Sequence, residues 1–239
     1  FSRQIILKNI GAIGQKKILN SRILIIGMGG LGCPVAEYLT RSGVGTIGIA
    51  DHDTVTLSNI HRQGLYNEKD INKSKVKIAK RKLNKINSNT KINIFNFKIN
   101  RSTFEKIIKN YDYVVDGTDN FESKFLINDL SLKYKKFLVT GAISKFDGHI
   151  FSFDFKKKNN SCLRCFYQEE SVSEEILNCE YEGILGTVAG IVGTIQANEI
   201  LKKILGIGQN LNGLILIVDL LNLNFRKAKI KKRNKCKCN

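Results

Sequence analysis

The 239-residue chain has a single proline, Pro34, no Ser/Gly/Pro-rich stretch and no internal repeat. Without a linker or a period of about 20 to 50 residues, residues 1–239 are expected to form one domain rather than two tethered ones or a solenoid. No charged-then-apolar leader opens the chain. No apolar run reaches the roughly 20 residues needed to cross a bilayer. The longest candidate, residues 183–205, is broken by Gln196, Asn198, Glu199 and two lysines. Six cysteines without an export signal point to a reducing, cytoplasmic setting and to thiol or metal use rather than disulfides. Acidic residues are also scarce, 21 against 39 basic, for a net charge of +18. That balance raises nucleic acid or an anionic membrane as a partner. The lysines, however, are scattered among Asn and Ile, and no basic stretch is interleaved with aromatics, so neither partner is expected. The basic run 226–233 alternates at first like an exposed edge strand, where lysine discourages aggregation.

What the chain does have is an apolar run leading into a glycine-rich turn, Arg22-Ile-Leu-Ile-Ile-Gly-Met-Gly-Gly-Leu-Gly-Cys-Pro34. Gly27, Gly29 and Gly32 allow a tight turn, close approach of a phosphate to bare backbone and close helix-on-strand packing, with Gly30 beside them. Asp51 ends the next apolar run, where a ribose hydroxyl needs an acceptor. Strand-like runs follow at Ile23–Gly27, Thr46–Asp51, Ile92–Phe97, Tyr113–Asp116 and Phe137–Thr140. Helix-compatible segments lie around Leu31–Ser42, Lys73–Ile86, Ser102–Lys109 and Glu122–Tyr134. The alternation predicts an α/β fold with a Rossmann-like, doubly wound, mainly parallel sheet. An N-terminal helical arm over residues 1–21 precedes it. Lys145–Phe155 is expected as a strand pair or bent strand, and Gly213–Asp219 with Asn224–Ile230 as a hairpin, adding antiparallel strands. Gly186–Leu205 has nearly helical apolar spacing and suits either a core helix or a subunit interface.

The glycine turn alone suggests a dinucleotide such as NAD, but four further clusters differ from a dehydrogenase. They are Asp51-His-Asp-Thr-Val-Thr-Leu-Ser-Asn-Ile-His-Arg-Gln63, Lys73-Ser-Lys-Val76, Asp116-Gly-Thr-Asp-Asn120, and Cys162-Leu-Arg-Cys165 with Cys236-Lys-Cys238. With Arg3-Gln-Ile5 and Asn178-Cys-Glu-Tyr-Glu-Gly183, and in this order over nearly the whole chain, they resemble the sulfur-carrier-protein adenylyltransferases. These are the MoeB and ThiF enzymes of molybdopterin and thiamine synthesis, relatives of the ubiquitin-activating enzymes.

The resemblance implies transfer of AMP from ATP to the C-terminal glycine of a small ubiquitin-like sulfur carrier ending in Gly-Gly, by a homodimer. A separate sulfurtransferase or cysteine desulfurase would supply sulfur. A carboxylate with a pKa near about 3.5 is ionised at neutral pH, so the nucleophile needs no general base. The demands are charge neutralisation and in-line positioning. Lys75 and Arg62 fit as the cations, and Arg3 matches an arginine that enters from the partner subunit. Asp119 matches a Mg²⁺ ligand. Asp51 is expected on the ribose, with Asp53, Ser58, Asn59 and Asn120 beside the nucleotide. His52, His61 and His149 are expected to be structural or exposed, and Cys33 to be core.

Cys162 and Cys165 form half of a tetrahedral zinc site, which needs a second pair. Relatives supply one spaced by two residues. Here Cys236 and Cys238 are separated by Lys237 alone, so the C-terminal zinc element must differ locally. Cys179 stands where some relatives place a sulfur-transfer or thioester thiol. Its segment, residues 166–182, is expected to be a mobile acidic loop, and crowded glutamates oppose a thiolate there. Two competing expectations remain: an NAD-dependent oxidoreductase, and a non-catalytic zinc-stapled binding scaffold. Carriers of cysteine or siderophore synthesis also fit the pattern.

Overall fold

The computed structural model describes residues 1–157, 160–167, 183–236 and 238. Five strands, β1 (Arg22–Ile26), β2 (Thr46–Ala50), β3 (Lys91–Phe95), β4 (Tyr113–Asp116) and β5 (Phe137–Ser144), run parallel in the order β3-β2-β1-β4-β5. The sheet continues antiparallel through β6 (Asp147–Asp154), β7 (Leu214–Asp219) and β8 (Asn224–Lys229), which gives eight strands.

Parallel strands buried on both faces need apolar residues at every position, and alternate side chains then serve opposite layers. On β1, Ile23 and Ile25 enter one core while Leu24 and Ile26 enter the other. Val114 and Val115 divide in the same way, as do Leu138 and Val139. Two helices, α1 (Ser2–Ile5) and α2 (Gly11–Leu19), precede the first strand. The crossovers are α3 (Gly32–Arg41), α4 (Lys75–Ile86), α5 (Arg101–Ile108) and α6 (Phe121–Lys133). Asn100 and Asn120 start α5 and α6 by accepting from Thr103 N and Ser123 N, each at 2.9 Å.

Two expectations change. The segment around residues 145–155 is not a strand pair. It is the single strand β6, joined to β5 by Lys145 and Phe146 with Ser144 opposite Asp147. Correspondingly, β5 runs past Thr140 to Ser144, because beyond its parallel partner β4 it still has β6 to pair with. After the short α7 (Leu163–Phe166), α8 (Gly186–Leu205) is a core helix: Val188, Val192, Ala197 and Ile200 are buried within the chain's own fold. It ends at Gly206 in the left-handed conformation, φ +72°. No helix among the described residues is long and apolar enough to cross a membrane.

Candidate active site and four-cysteine cluster

The ends of β1, β2 and β4 open into a cleft of about 1230 Å³. Ligands of doubly wound sheets bind in this position. The glycine turn forms one wall. Gly27 has φ +87°, and a Cβ there would meet Gly117 O at 2.7 Å; a Cβ on Gly32 would meet Gly27 O at 1.9 Å. The turn therefore closes only with glycine at both positions. Gly32 packs the start of α3 beneath the turn, while Gly27, Gly29 and Gly30 face the cleft.

Asp51 is tied to this turn. Its carboxylate accepts from Met28 N at 2.7 Å and from Asp53 N at 2.8 Å, and both oxygens keep acceptor capacity toward the cleft. Tyr66 supports the turn from behind, donating to Met28 O at 3.0 Å. Burial pushes its phenol pKa up; burial also raises the Cys33 thiol, to about 12. Cys33 is thus a core residue, as expected.

Lys75 opens α4 and is not a solvated helix charge. Its side chain is 7% exposed, and Nζ donates to Asp53 Oδ2 at 2.9 Å. Arg62 donates to Ser58 O at 2.9 Å and lies 2.8 Å from His61 Nε2, with its stem over Gly30. The 3₁₀ turn Leu57–Asn59 places Ser58 and Asn59 on the same wall. Asp119 is exposed in the cleft. Asn120 spends its oxygen on the α6 cap, and its amide donates to Asp119 at 3.3 Å. Arg3 sits on α1 and is not among the residues lining the cleft. Cys179 and residues 168–182 lie outside the described residues.

Sequence reasoning missed the group at the base of the cleft. Lys124, on α6, is 4% exposed and donates to Asp116 at 3.2 Å and to Gly141 O at 2.6 Å. Asp116 is fully buried and also accepts from Thr118 N at 2.9 Å, from Thr118 Oγ1 at 2.6 Å and from the Thr140 hydroxyl. Gln196 of α8 donates to Asp116 O at 2.8 Å. The available signal was a lysine between Phe121 and Phe125, on the face that α6 buries. His149 was expected to be structural or exposed, and it does line the cleft.

The four cysteines converge. Cys162 and Cys236 sulfurs lie 3.6 Å apart, Cys165 and Cys238 sulfurs 3.5 Å apart, and all four fall within 4.8 Å of one another. Tetrahedral Zn–S bonds of about 2.3 Å put sulfurs roughly 3.8 Å apart, so the set fits a metal despite the one-residue spacing. Burial and the neighbouring thiols push the Cys162 pKa up, and burial raises that of Cys238 to about 12. A bound cation is what holds such a set as thiolates. The element is fixed to α6, where Asn128 accepts from Leu163 N at 3.0 Å and Asp129 takes a two-point ion pair from Arg164 at 2.7 and 2.9 Å.

A doubly wound sheet with a glycine turn, an acid at the end of its second strand and two cations lining one cleft defines a Rossmann-like α/β protein with a four-cysteine element that fits a metal. The ThiF family profile matches residues 1–239, and the chain belongs to that family. It is 39% identical over 234 residues to a probable molybdopterin-synthase adenylyltransferase of Gracilaria tenuistipitata, covering 98% of this chain and 65% of that one. Against the adenylyltransferase and sulfurtransferase MOCS3 of Drosophila persimilis it is 40% identical, covering 99% of this chain and 52% of the relative. A sulfur carrier protein adenylyltransferase of Thermus thermophilus is 34% identical, with 99% and 88% covered. The chain thus spans between half and two-thirds of the length of the first two relatives. The E. coli MccB structure with succinimide shares the fold, with a TM-score of 0.83 at 20% identity over 94% of this chain and 68% of MccB.

Proposed function

We propose that the protein transfers AMP from ATP to the C-terminal glycine carboxylate of a small ubiquitin-like sulfur carrier ending in Gly-Gly, releasing pyrophosphate. The observation that carries this reading is the cleft itself. Its glycine turn and Asp51 suit a nucleotide, and the buried Lys75 and nearby Arg62 suit a triphosphate, for which an NAD-dependent oxidoreductase has no use. The relatives named as adenylyltransferases support it.

In this reading the backbone of Gly27–Gly30 approaches the phosphates, and Asp51 accepts from ribose hydroxyls. Asp53, Ser58, Asn59 and Asn120 line the nucleotide. The carrier carboxylate attacks the α-phosphorus while the α–β bridging oxygen leaves with pyrophosphate. Lys75 and Arg62 neutralise charge that builds on that leaving group, in a site whose dipoles are already oriented. Asp119 would hold Mg²⁺, which offsets phosphate charge when bound. Zinc on the four cysteines serves structure, since a closed four-sulfur shell leaves no position for substrate. The active unit is a cytoplasmic homodimer with Arg3 reaching its partner's site. The pathway is molybdopterin or thiamine synthesis.

Exchange of labelled pyrophosphate into ATP is the test. It is expected only with Mg²⁺ and a carrier ending in Gly-Gly. Micromolar NAD binding with no exchange on any ubiquitin-like carrier overturns the proposal.

A further inference from the structure

The nucleotide-facing residues account for only one end of the cleft. At about 1230 Å³ it exceeds the roughly 300–1,000 Å³ usual for one small ligand, which leaves room for a chain segment. The other end is walled by Ile143, His149, Tyr167, Gly183 and Ile184. An acceptor ending in glycines offers no side chain there, so it must be read through its main-chain carbonyls and terminal carboxylate. That calls for a fixed donor among apolar walls.

We propose that His149, oriented by Tyr167, supplies this donor and is the specificity contact for the acceptor's C-terminal main chain. This rests on the adenylation reading. His149 Nδ1 lies 2.9 Å from the Tyr167 hydroxyl. We assign the phenol as donor to Nδ1, which puts the ring proton on Nε2, the intrinsically favoured tautomer. No described residue hydrogen-bonds Nε2. Burial lowers the pKa of the ring, which keeps it neutral and therefore in a defined tautomer at neutral pH.

The ring is held edge-on by Phe151 at 6.4 Å and Phe166 at 6.3 Å between centroids. Tyr167 packs on Phe121, 4.8 Å away, and both line the same cleft. It follows directly on α7, whose anchoring to α6 fixes the start of this aromatic wall. The pair is thus a preorganised donor with its own support behind it.

Steady-state exchange with the carrier and ATP varied separately tests the assignment on the full chain. His149→Ala is expected to raise the carrier KM about tenfold, about 1.4 kcal/mol, while the ATP KM changes less than twofold. His149→Gln keeps an N–H donor near the Nε2 position and should recover most of the loss. Tyr167→Phe should fall between the two. An unchanged carrier KM in His149→Ala, or equal damage in Ala and Gln variants, overturns the assignment and leaves adenylation standing. A wild-type protein without carrier-dependent exchange overturns the adenylation reading and this contact with it.

Discussion

Replacing Lys124 with methionine removes a buried cation while nearly keeping its length, and it leaves Asp116 with a charge and no counter-ion. Asp116 has no exposed surface and Lys124 only 4%. Breaking a buried pair from one side costs about 3–5 kcal/mol, because the remaining charge is stranded. Asp116 retains the Thr118 amide and the Thr118 and Thr140 hydroxyls as donors, which places Lys124→Met near the lower end, about 3 kcal/mol. Asp116→Asn leaves the buried Lys124 with no counter-ion, and should cost about 4 kcal/mol. The double variant leaves no charge to strand, so its loss should fall short of the sum by about 2 kcal/mol. For a domain of this size 1 kcal/mol moves Tm by about 2–4 °C, so Lys124→Met should melt roughly 6–12 °C early. Urea titrations at constant slope, paired with calorimetry, measure all three. A Lys124→Met loss below about 1 kcal/mol, or strictly additive losses, would refute the buried-charge argument.

Three further outcomes are expected. Lys75→Ala and Asp119→Ala should each lower pyrophosphate exchange by about a hundredfold or more, whereas Cys179→Ser should leave it largely intact; a collapse in the serine variant would assign Cys179 to adenylation itself. Elemental analysis should find about one zinc per chain. The ring it closes, 74 residues from Cys162 to Cys236, corresponds to about 4 kcal/mol of unfolded-chain entropy. A chelator should therefore lower Tm by about 10 °C and expose residues 230–238 to protease, and a metal-free, active protein of unchanged Tm counts against the site. Arg3→Ala and Asp119→Ala chains, inactive separately, should regain activity as a proven heterodimer. No recovery removes Arg3 from the neighbouring site.

Much of this architecture was legible because period-2 and helical patterns carry it. The apolar run before Gly27 is too short and too β-branched for a core helix and so reads as a strand covered on both faces, and β1 to β4 fall within a residue or two of the expected bounds. The length of β5 was not legible, since Gly141–Ser144 becomes strand only through pairing with β6. Lys75 stood out by its place in a motif. Lys124 did not, because among 30 lysines a sequence does not mark which one turns inward. The His149–Tyr167 pair brings together residues 18 apart through α7, a link set by the cysteine element rather than by spacing.

The convergence of Cys162 and Cys165 with Cys236 and Cys238 sets an order of events. Every residue that lines the cleft lies between Ile26 and Ile184, and the elements packed behind it, α8 and the strands to Lys229, are also complete before the last cysteines, so the nucleotide end can assemble before the clamp closes. The clamp behind α7 cannot close until residue 238 has been made. Tyr167 gains its full support only then, so the acceptor end of the cleft is the last part to be finished. A translation product stopped before residue 236 keeps all its nucleotide-facing groups and has no clamp. On the adenylation reading, such a product would bind ATP without a finished wall for the second substrate.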